Sequence, residues 1–314
     1  MTKNVIQPLE SYRLAQYAVP TLCYLCGAEN TCDAELCNHC LAPMALAHQA
    51  ADQDIQPRMI ATVGASSAGK TVYLGMLMDM LSRLPSRMRV VTRGAFSITL
   101  QQNTVKALSQ RHFPDKTASE PDRWNWVHCQ IRRPDRPSPV ELIMPDMAGE
   151  AILEEVDHPH TYRVIGSFLK KSGGILALVD AISLREGRRD HDYFTMKLLS
   201  YLAELDSNPK TGWCTRPVAI VFTKADQCEP CMEDPVAFAR SHATGLWQQC
   251  QERFLRHRFF ASGVVGAIAH SDSVLDGHVD VPLRVEPHGI IEPFEWLLDE
   301  TADMGIKRRH SYRD

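Results

Sequence analysis

Residues 64–71 read Gly-Ala-Ser-Ser-Ala-Gly-Lys-Thr and match the pattern G-x-x-x-x-G-K-[S/T] in full. No other stretch constrains the fold of this chain as tightly. The pattern works only where a strand delivers the chain to a tight loop and a helix leaves it. Backbone N–H groups then turn inward, and the helix N-terminus adds partial positive charge. Both flanks are present. The run "RMIATV" (58–63) is apolar and β-branched, and from Lys70 to about Arg83 apolar residues recur at helical spacing. In such a loop the backbone of Gly64, Ala65, Ser66, Ser67, Ala68 and Gly69 cradles phosphates. Lys70 reaches the β- and γ-phosphates, and the Thr71 hydroxyl reaches Mg2+. A plain Gly/Ser/Ala turn ahead of an amphipathic helix is the simpler alternative, but strand, motif and helix together outweigh it.

From residue 58 onward, strands and helices alternate. Strands are predicted at 58–63, 124–133, 139–145, 174–180, 217–223 and 258–265. Helices are predicted at 70–83, 96–113, 152–170, 190–205, 235–254 and about 291–305. Near-continuous apolar strands such as "GILALVD" and "VAIVFT" indicate a buried, parallel sheet. The short join "PDRPS" between the second and third strands suits one antiparallel hairpin. The expected fold is α/β, a mostly parallel six-stranded sheet with one antiparallel strand and flanking helices.

Two later stretches choose the nucleotide. The strand "VELIMP" ends in Asp146-Met147-Ala148-Gly149-Glu150. An acidic residue there, facing the loop, can hold Mg2+ through water, and a glycine three positions on can offer its N–H to a γ-phosphate. The strand "VAIVF" ends in Thr223-Lys224-Ala225-Asp226. A carboxylate at Asp226 would accept the N1 and N2 hydrogens of guanine, which adenine lacks, and the Lys224 stem would cover the base plane. Each stretch alone reads more simply as an ordinary turn. Together and in this order, GASSAGKT, DMAGE and TKAD resemble the Ras-like P-loop GTPases of the translation-factor-related class, over about 58–305.

That resemblance implies further roles. A switch threonine should lie between the first helix and the hairpin, and Thr117 in "HFPDKTASEPDRW" is the candidate. Ser262, Gly263 or Val264 should cap the base. Thr223 stands where the family usually has Asn, and Glu150 where many members have a water-orienting Gln. Ser66 replaces a glycine against which a partner's arginine packs. Glu150 and Ser66 predict slow hydrolysis, and the catalytic set under this reading is Lys70, Thr117, Gly149 and Glu150. About forty residues between Pro85 and Trp124 form an insertion, read either as an effector site or as a structural elaboration.

Ahead of this domain, Cys23-x-x-Cys26 and Cys37-x-x-Cys40 stand ten residues apart. Two such pairs suit tetrahedral Zn2+ bound by four thiolates, with Cys32 and His39 as rival ligands. The resulting division is an N-terminal extension (1–20), a zinc ribbon (21–45), a linker (46–57) and the P-loop domain (58–314). Ribbon plus GTPase resembles the bacterial double-GTPase-type proteins, which implies action with partner proteins, including in bacterial conflict systems. Cys228 and Cys231 follow the base motif without a second pair and read as ordinary thiols. Cys129, Cys214 and Cys250 read as packing residues.

The net charge of −4 argues against nucleic acid as the main partner. No apolar run reaches the ~18 residues that span a bilayer, and the first residues lack the apolar core of a signal peptide. A cytoplasmic location follows as the expectation. The leading reading is a GTP-regulated switch using GTP/GDP, Mg2+ and Zn2+, with a protein effector or GTPase-activating partner. The alternatives are a zinc-ribbon nucleic-acid-binding P-loop NTPase and a nucleotide-binding pseudo-GTPase scaffold.

Overall fold

The computed structural model describes residues 20–51, 57–83, 88–135, 138–273 and 277–311. The extension at 1–20 therefore lies outside the described residues except for Pro20. So do linker positions 52–56 and residues 85–87 at the start of the insertion. The chain divides into two compact units, Met1–Gln56 and Pro57–Asp314.

In the first unit, β1 (Thr21–Leu22) pairs antiparallel with β2 (Glu29–Asn30), and α1 (Ala45–Ala51) follows. The linker expected from residue 46 is thus partly helical. Its Ala- and Leu-rich start favours a helix, and Leu46 and Ala47 are buried.

The second unit opens with β3 (Arg58–Gly64) and α2 (Lys70–Arg83). Then come β4 (Arg89–Thr92), α3 (Gly94–Ser109), β5 (Trp126–Arg132) and β6 (Val140–Pro145). The chain continues through α4 (Gly149–Asp157), α5 (Arg163–Lys171), β7 (Gly174–Asp180), α6 (Ala181–Arg185) and α7 (Asp190–Asp206). After β8 (Val218–Thr223) come α8 (Glu229–Glu233), α9 (Pro235–His242), α10 (Thr244–Arg253) and β9 (His257–Ala261). The unit closes with β10 (Gly263–Ser273), β11 (Gly277–His288) and α11 (Ile291–Ser311).

Among the described residues the main sheet has seven strands in the order β4-β5-β6-β3-β7-β8-β9. Only β5 runs against the others. The seventh strand, absent from the six-stranded expectation, is β4, a short edge strand from the insertion. Its helix α3 buries Leu100, Thr104, Ala107 and Leu108. A methyl group on Gly75 of α2 would overlap the Thr104 side chain, so α2 and α3 pack at close range. The described part of the insertion is thus a structural layer of the unit. β7 and β8 are buried at every residue, as strands covered on both faces must be. Leu74, Leu77, Leu176, Leu178, Val221, Phe294 and Leu297 join one core.

Three further expectations are corrected. The helix predicted at 152–170 is two helices, because the Glu155 carboxylate accepts the N–H groups of His160 and Tyr162 and holds a turn between them. The helix at 235–254 breaks at Ala243, whose φ is −136°. The strand at 258–265 ends at Ala261, and the chain restarts at Gly263 in a separate hairpin, β10–β11. No helix among the described residues is long and apolar enough to cross a membrane.

Candidate functional site

Strands β3, β6, β7 and β8 end on the same edge of the sheet, and each contributes residues just past its end. In an open α/β sheet this edge is where ligands bind. The loop after β3 reverses tightly into α2, with Gly69 at φ 82° and Ser67 at φ 63°. Ser67 holds a left-handed conformation that non-glycine residues rarely adopt. The Lys70 ammonium folds back into the loop and donates to the carbonyl oxygens of Gly64 and Ala65, both at 2.9 Å. Burial lowers its pKa to about 8, against the opposing pull of Asp146.

Asp146 continues β6 by one residue. It pairs with Thr62 of β3, and its N–H donates to the Asn125 carbonyl. Its carboxylate thereby faces the start of α2. Asp146 Oδ2 accepts from the hydroxyls of Thr71 (2.9 Å) and Thr117 (3.1 Å), and the two hydroxyls lie 2.9 Å apart. Three oxygens spaced this way match neighbouring corners of an octahedron with ~2.1 Å metal–oxygen bonds, the geometry Mg2+ demands. Asp146 Oδ1 is buried and has no hydrogen-bond partner among the described residues. Burial pushes the Asp146 carboxyl above its ordinary value, although Thr71, Lys70 and Thr117 pull it back. The donor set fits a divalent cation.

Thr117, the switch-threonine candidate, thus lies against Thr71 and Asp146. The loop around it is anchored by the fully buried Trp124, whose indole N–H donates to the Ala118 carbonyl at 2.8 Å. Gly149 begins α4 against the phosphate loop. A Cβ there would lie 2.6 Å from the Ser66 nitrogen and 2.8 Å from the Gly64 oxygen, so only glycine permits this approach. Next to it, Glu150 forms an ion pair with Lys116, Nζ to Oε1 at 2.5 Å. Burial raises the Glu150 carboxyl, but the Lys116 side chain, a backbone N–H and the Ser66 side chain together outweigh it and hold the carboxyl below its ordinary value.

At the other end of the site, the Thr223 hydroxyl donates to the Ala68 carbonyl at 2.9 Å and ties β8 to the phosphate loop. Lys224 sits at φ 56° with its ammonium 2.5 Å from Asp180 Oδ2. Asp180 Oδ1 accepts the Ser183 N–H and caps α6. Asp226 Oδ2 accepts the Val265 N–H at 2.8 Å, while Oδ1 is buried with no partner among the described residues. Burial raises this carboxyl's pKa too. Ser262 is locked into the turn after β9, its N–H on the Phe222 carbonyl and its own carbonyl accepting the Ala225 N–H. Gly263 and Val264 line the same cavity. That cavity of about 1040 Å3 runs from Ser66 and Lys116 to Asp226 and Ile268 of the β10–β11 hairpin.

The sequence profile of the Double-GTPase 2 family matches residues 58–278. The chain belongs to the Double-GTPase 2 family. No curated protein matches the sequence. Among solved structures, a protein described as nucleolar GTP-binding protein 1 from Plasmodium falciparum is 12% identical, covering 82% of this chain and 94% of that one, with a TM-score of 0.39. The Ski7 GTPase-like domain of S. cerevisiae, bound to GDP and inorganic phosphate, is 14% identical over 69% of this chain and 45% of that one, at 0.36. A signal recognition particle receptor complex from Chaetomium thermophilum is 12% identical over 67% and 94%, at 0.37. Likenesses at this level carry no argument of their own, and the assignment rests on the family match.

The cysteine cluster of this Double-GTPase 2 member lies outside the matched segment. The sulfurs of Cys23, Cys26, Cys37 and Cys40 all lie within 4.8 Å of one another. Cys23–Cys40 is 3.7 Å and Cys26–Cys37 is 3.5 Å. Tetrahedral Zn2+ with ~2.3 Å Zn–S bonds spaces its sulfurs about 3.8 Å apart, so the four fit that metal. Amide N–H groups reach the thiols, from Leu25 to Cys23 and from His39 and the Asn30 side chain to Cys37. Such outer bonds stabilise thiolates and orient them. Cys32 and the His39 ring are not part of the cluster. Cys129, Cys214 and Cys250 are buried. Cys228 and Cys231 are buried free thiols, and burial pushes Cys231 up to about 12.

Sequence reasoning missed three residues at the site: Lys116, Trp124 and Asp180. Asp180 carried a signal, since an Asp where a strand ends and a helix starts is a favoured N-cap residue. Lys116 and Trp124 carried none.

Proposed function

We propose that this Double-GTPase 2 member binds Mg-GTP and GDP, hydrolyses GTP at a low intrinsic rate and signals the difference to a protein partner. The observation that carries the guanine reading is Asp226. It holds a buried carboxylate oxygen without a partner at one end of the cavity, beside a lysine stem. Guanine offers two N–H donors to such a group; adenine offers an acceptor and would leave the carboxylate unpaired.

The chain's own residues divide the remaining work. The amides of residues 64–69 take the phosphates. Two of the three Lys70 N–H donors are spent on the loop, which leaves the third for a phosphate oxygen. Thr71, Thr117 and Asp146 hold the cation, and Mg2+ bound there neutralises charge on the β- and γ-phosphates. Gly149 brings its backbone to the loop, so this segment and Thr117 can respond to the terminal phosphate. The pseudo-GTPase scaffold remains the second reading, because Glu150 is paired with Lys116 and not free to orient water. Single-turnover hydrolysis of GTP separates the two.

Titration calorimetry with GDP and ADP tests the base assignment. GDP is expected to bind at least about 100-fold tighter than ADP, the worth of two hydrogen bonds to a buried charge. Asp226→Asn should erase that preference. Equal affinity for ADP, or an indifferent Asp226→Asn variant, sinks the guanine reading. The partner is sought by pull-down with the protein loaded with a GTP analogue or with GDP, the Lys70→Ala variant serving as control.

A further inference from the structure

We propose that Lys116 is a second cation for the terminal phosphate, supplied in cis and held in position by Glu150. This rests on the nucleotide reading above and adds what distinguishes triphosphate from diphosphate.

Lys116 and Glu150 come from separate segments, the loop ahead of β5 and the first turn of α4. Their charged atoms meet at 2.5 Å, and both residues line the cavity beside Ser66, Lys70 and Thr71. Lys70 feels both charges: Glu150 favours its protonated form and Lys116 opposes it. The pair therefore stands within electrostatic reach of the phosphate lysine. Position 116 is fixed from its C-terminal side. Thr117 is bonded to Thr71 and Asp146, and the Ala118 carbonyl to buried Trp124.

Stability does not explain the pair. The Lys116 and Glu150 side chains are 65% and 46% exposed, and exposed ion pairs contribute little. Its effect is on placement. A lysine on a loop samples a wide volume, and Glu150 confines the ammonium to the phosphate end of the cavity. One of its three donors is engaged with Glu150, and the others can reach a γ-phosphate oxygen. Glu150 then no longer stands as an uncompensated negative charge against the γ-phosphate, because Lys116 neutralises it. GDP lacks the group that Lys116 would meet, so the residue should raise affinity for triphosphate selectively.

The test is calorimetric titration of the full chain with GDP and with a non-hydrolysable GTP analogue, for wild type, Lys116→Met, Lys116→Arg and Glu150→Gln. Lys116→Met is expected to lose about 10- to 100-fold in analogue affinity, as for a charge-assisted hydrogen bond, with GDP affinity within about twofold of wild type. Lys116→Arg should keep most of the preference. Glu150→Gln should lose part of it, because the ammonium loses its anchor. Single-turnover GTP hydrolysis should fall in the same order. An unchanged analogue-to-GDP ratio in Lys116→Met overturns the proposal, as does an equal loss for both nucleotides. A wild type that fails to bind GDP overturns the nucleotide reading itself, so the two failures are distinct.

Discussion

Asp226 buries a carboxylate with one oxygen on the Val265 amide and the other on nothing the described residues offer. A protein tolerates such a group where binding requires it, at a cost to its unliganded stability. Burial raises the Asp226 pKa, so the folded state holds the proton more tightly than the unfolded chain. The destabilisation is then complete at neutral pH and is relieved as pH falls through the raised pKa toward the ordinary carboxylate range. Asp226→Asn removes the charge and can still accept the Val265 N–H through its amide oxygen. Without nucleotide, its melting temperature should match or exceed that of wild type at pH 7, and the gap should narrow toward pH 4. With GDP, the variant should lose the stabilisation that ligand linkage gives wild type, about 2.7 kcal/mol at 100 times Kd. Melting curves at several pH values, with and without GDP, check both; a variant less stable than wild type in the absence of nucleotide would contradict the argument. That Asp226, Asp146 and Lys70 gather at one edge of the sheet was legible in sequence, because each sits in a short local pattern just past a strand. Lys116 was not, because its meaning depends on Glu150, which only the folded chain brings to it.

At the scale of elements, the decisive contact is the start of α4 against the phosphate loop. Three backbone atoms of that loop lie within 2.8 Å of where a Gly149 side chain would begin. Backbone cannot yield as a flexible side chain can, so Gly149→Ala must push α4 or the loop away. We expect it to destabilise the protein by about 1–3 kcal/mol, as overpacking does. It should also weaken the GTP analogue more than GDP. Denaturant unfolding and nucleotide titration read the two effects, and a variant of wild-type stability would mean that the approach is looser than described. Elements with strong local patterns were legible. Helix α2 spans Lys70–Arg83, as its apolar spacing predicts. Breaks made by distant or subtle contacts were not. Pro159 hinted at the gap between α4 and α5, but the Glu155 bonds that shape it were invisible. The break at Ala243 left only Thr244-Gly245 as a trace, and an isolated glycine is tolerated inside a helical pattern. The β10–β11 hairpin left a trace in the alternation from His278 to Val285 and in the Asp276-Gly277 pair. The short apolar run that precedes it reads more simply as one strand ending.

The whole molecule joins a large unit with its own core to a small one with few apolar residues to bury. A unit of roughly 50 residues buries little surface and is marginal alone, and such units often rely on metals or disulfides. The four thiols, gathered within 4.8 Å of one another, fit such a metal. Structural zinc brings ~10–16 kcal/mol of apparent binding energy, so losing it should unfold the unit outright. The large unit, residues 57–314, has its own sheet and core. Native mass spectrometry should find one zinc per chain. A zinc-selective chelator, used with Mg2+ in excess, should strip hydrogen-exchange protection from residues 21–51 and leave the strands of the main sheet protected. Cys37→Ser should reproduce the pattern without chelator. GDP should still raise the melting temperature of the chelated protein, because the cavity is built from residues 66–280 alone. Protection at 21–51 that survives zinc removal would mean that the small unit holds its fold by other means. Loss of the GDP effect would mean that the cysteine unit supports the nucleotide site and that the two do not act as separate folding units.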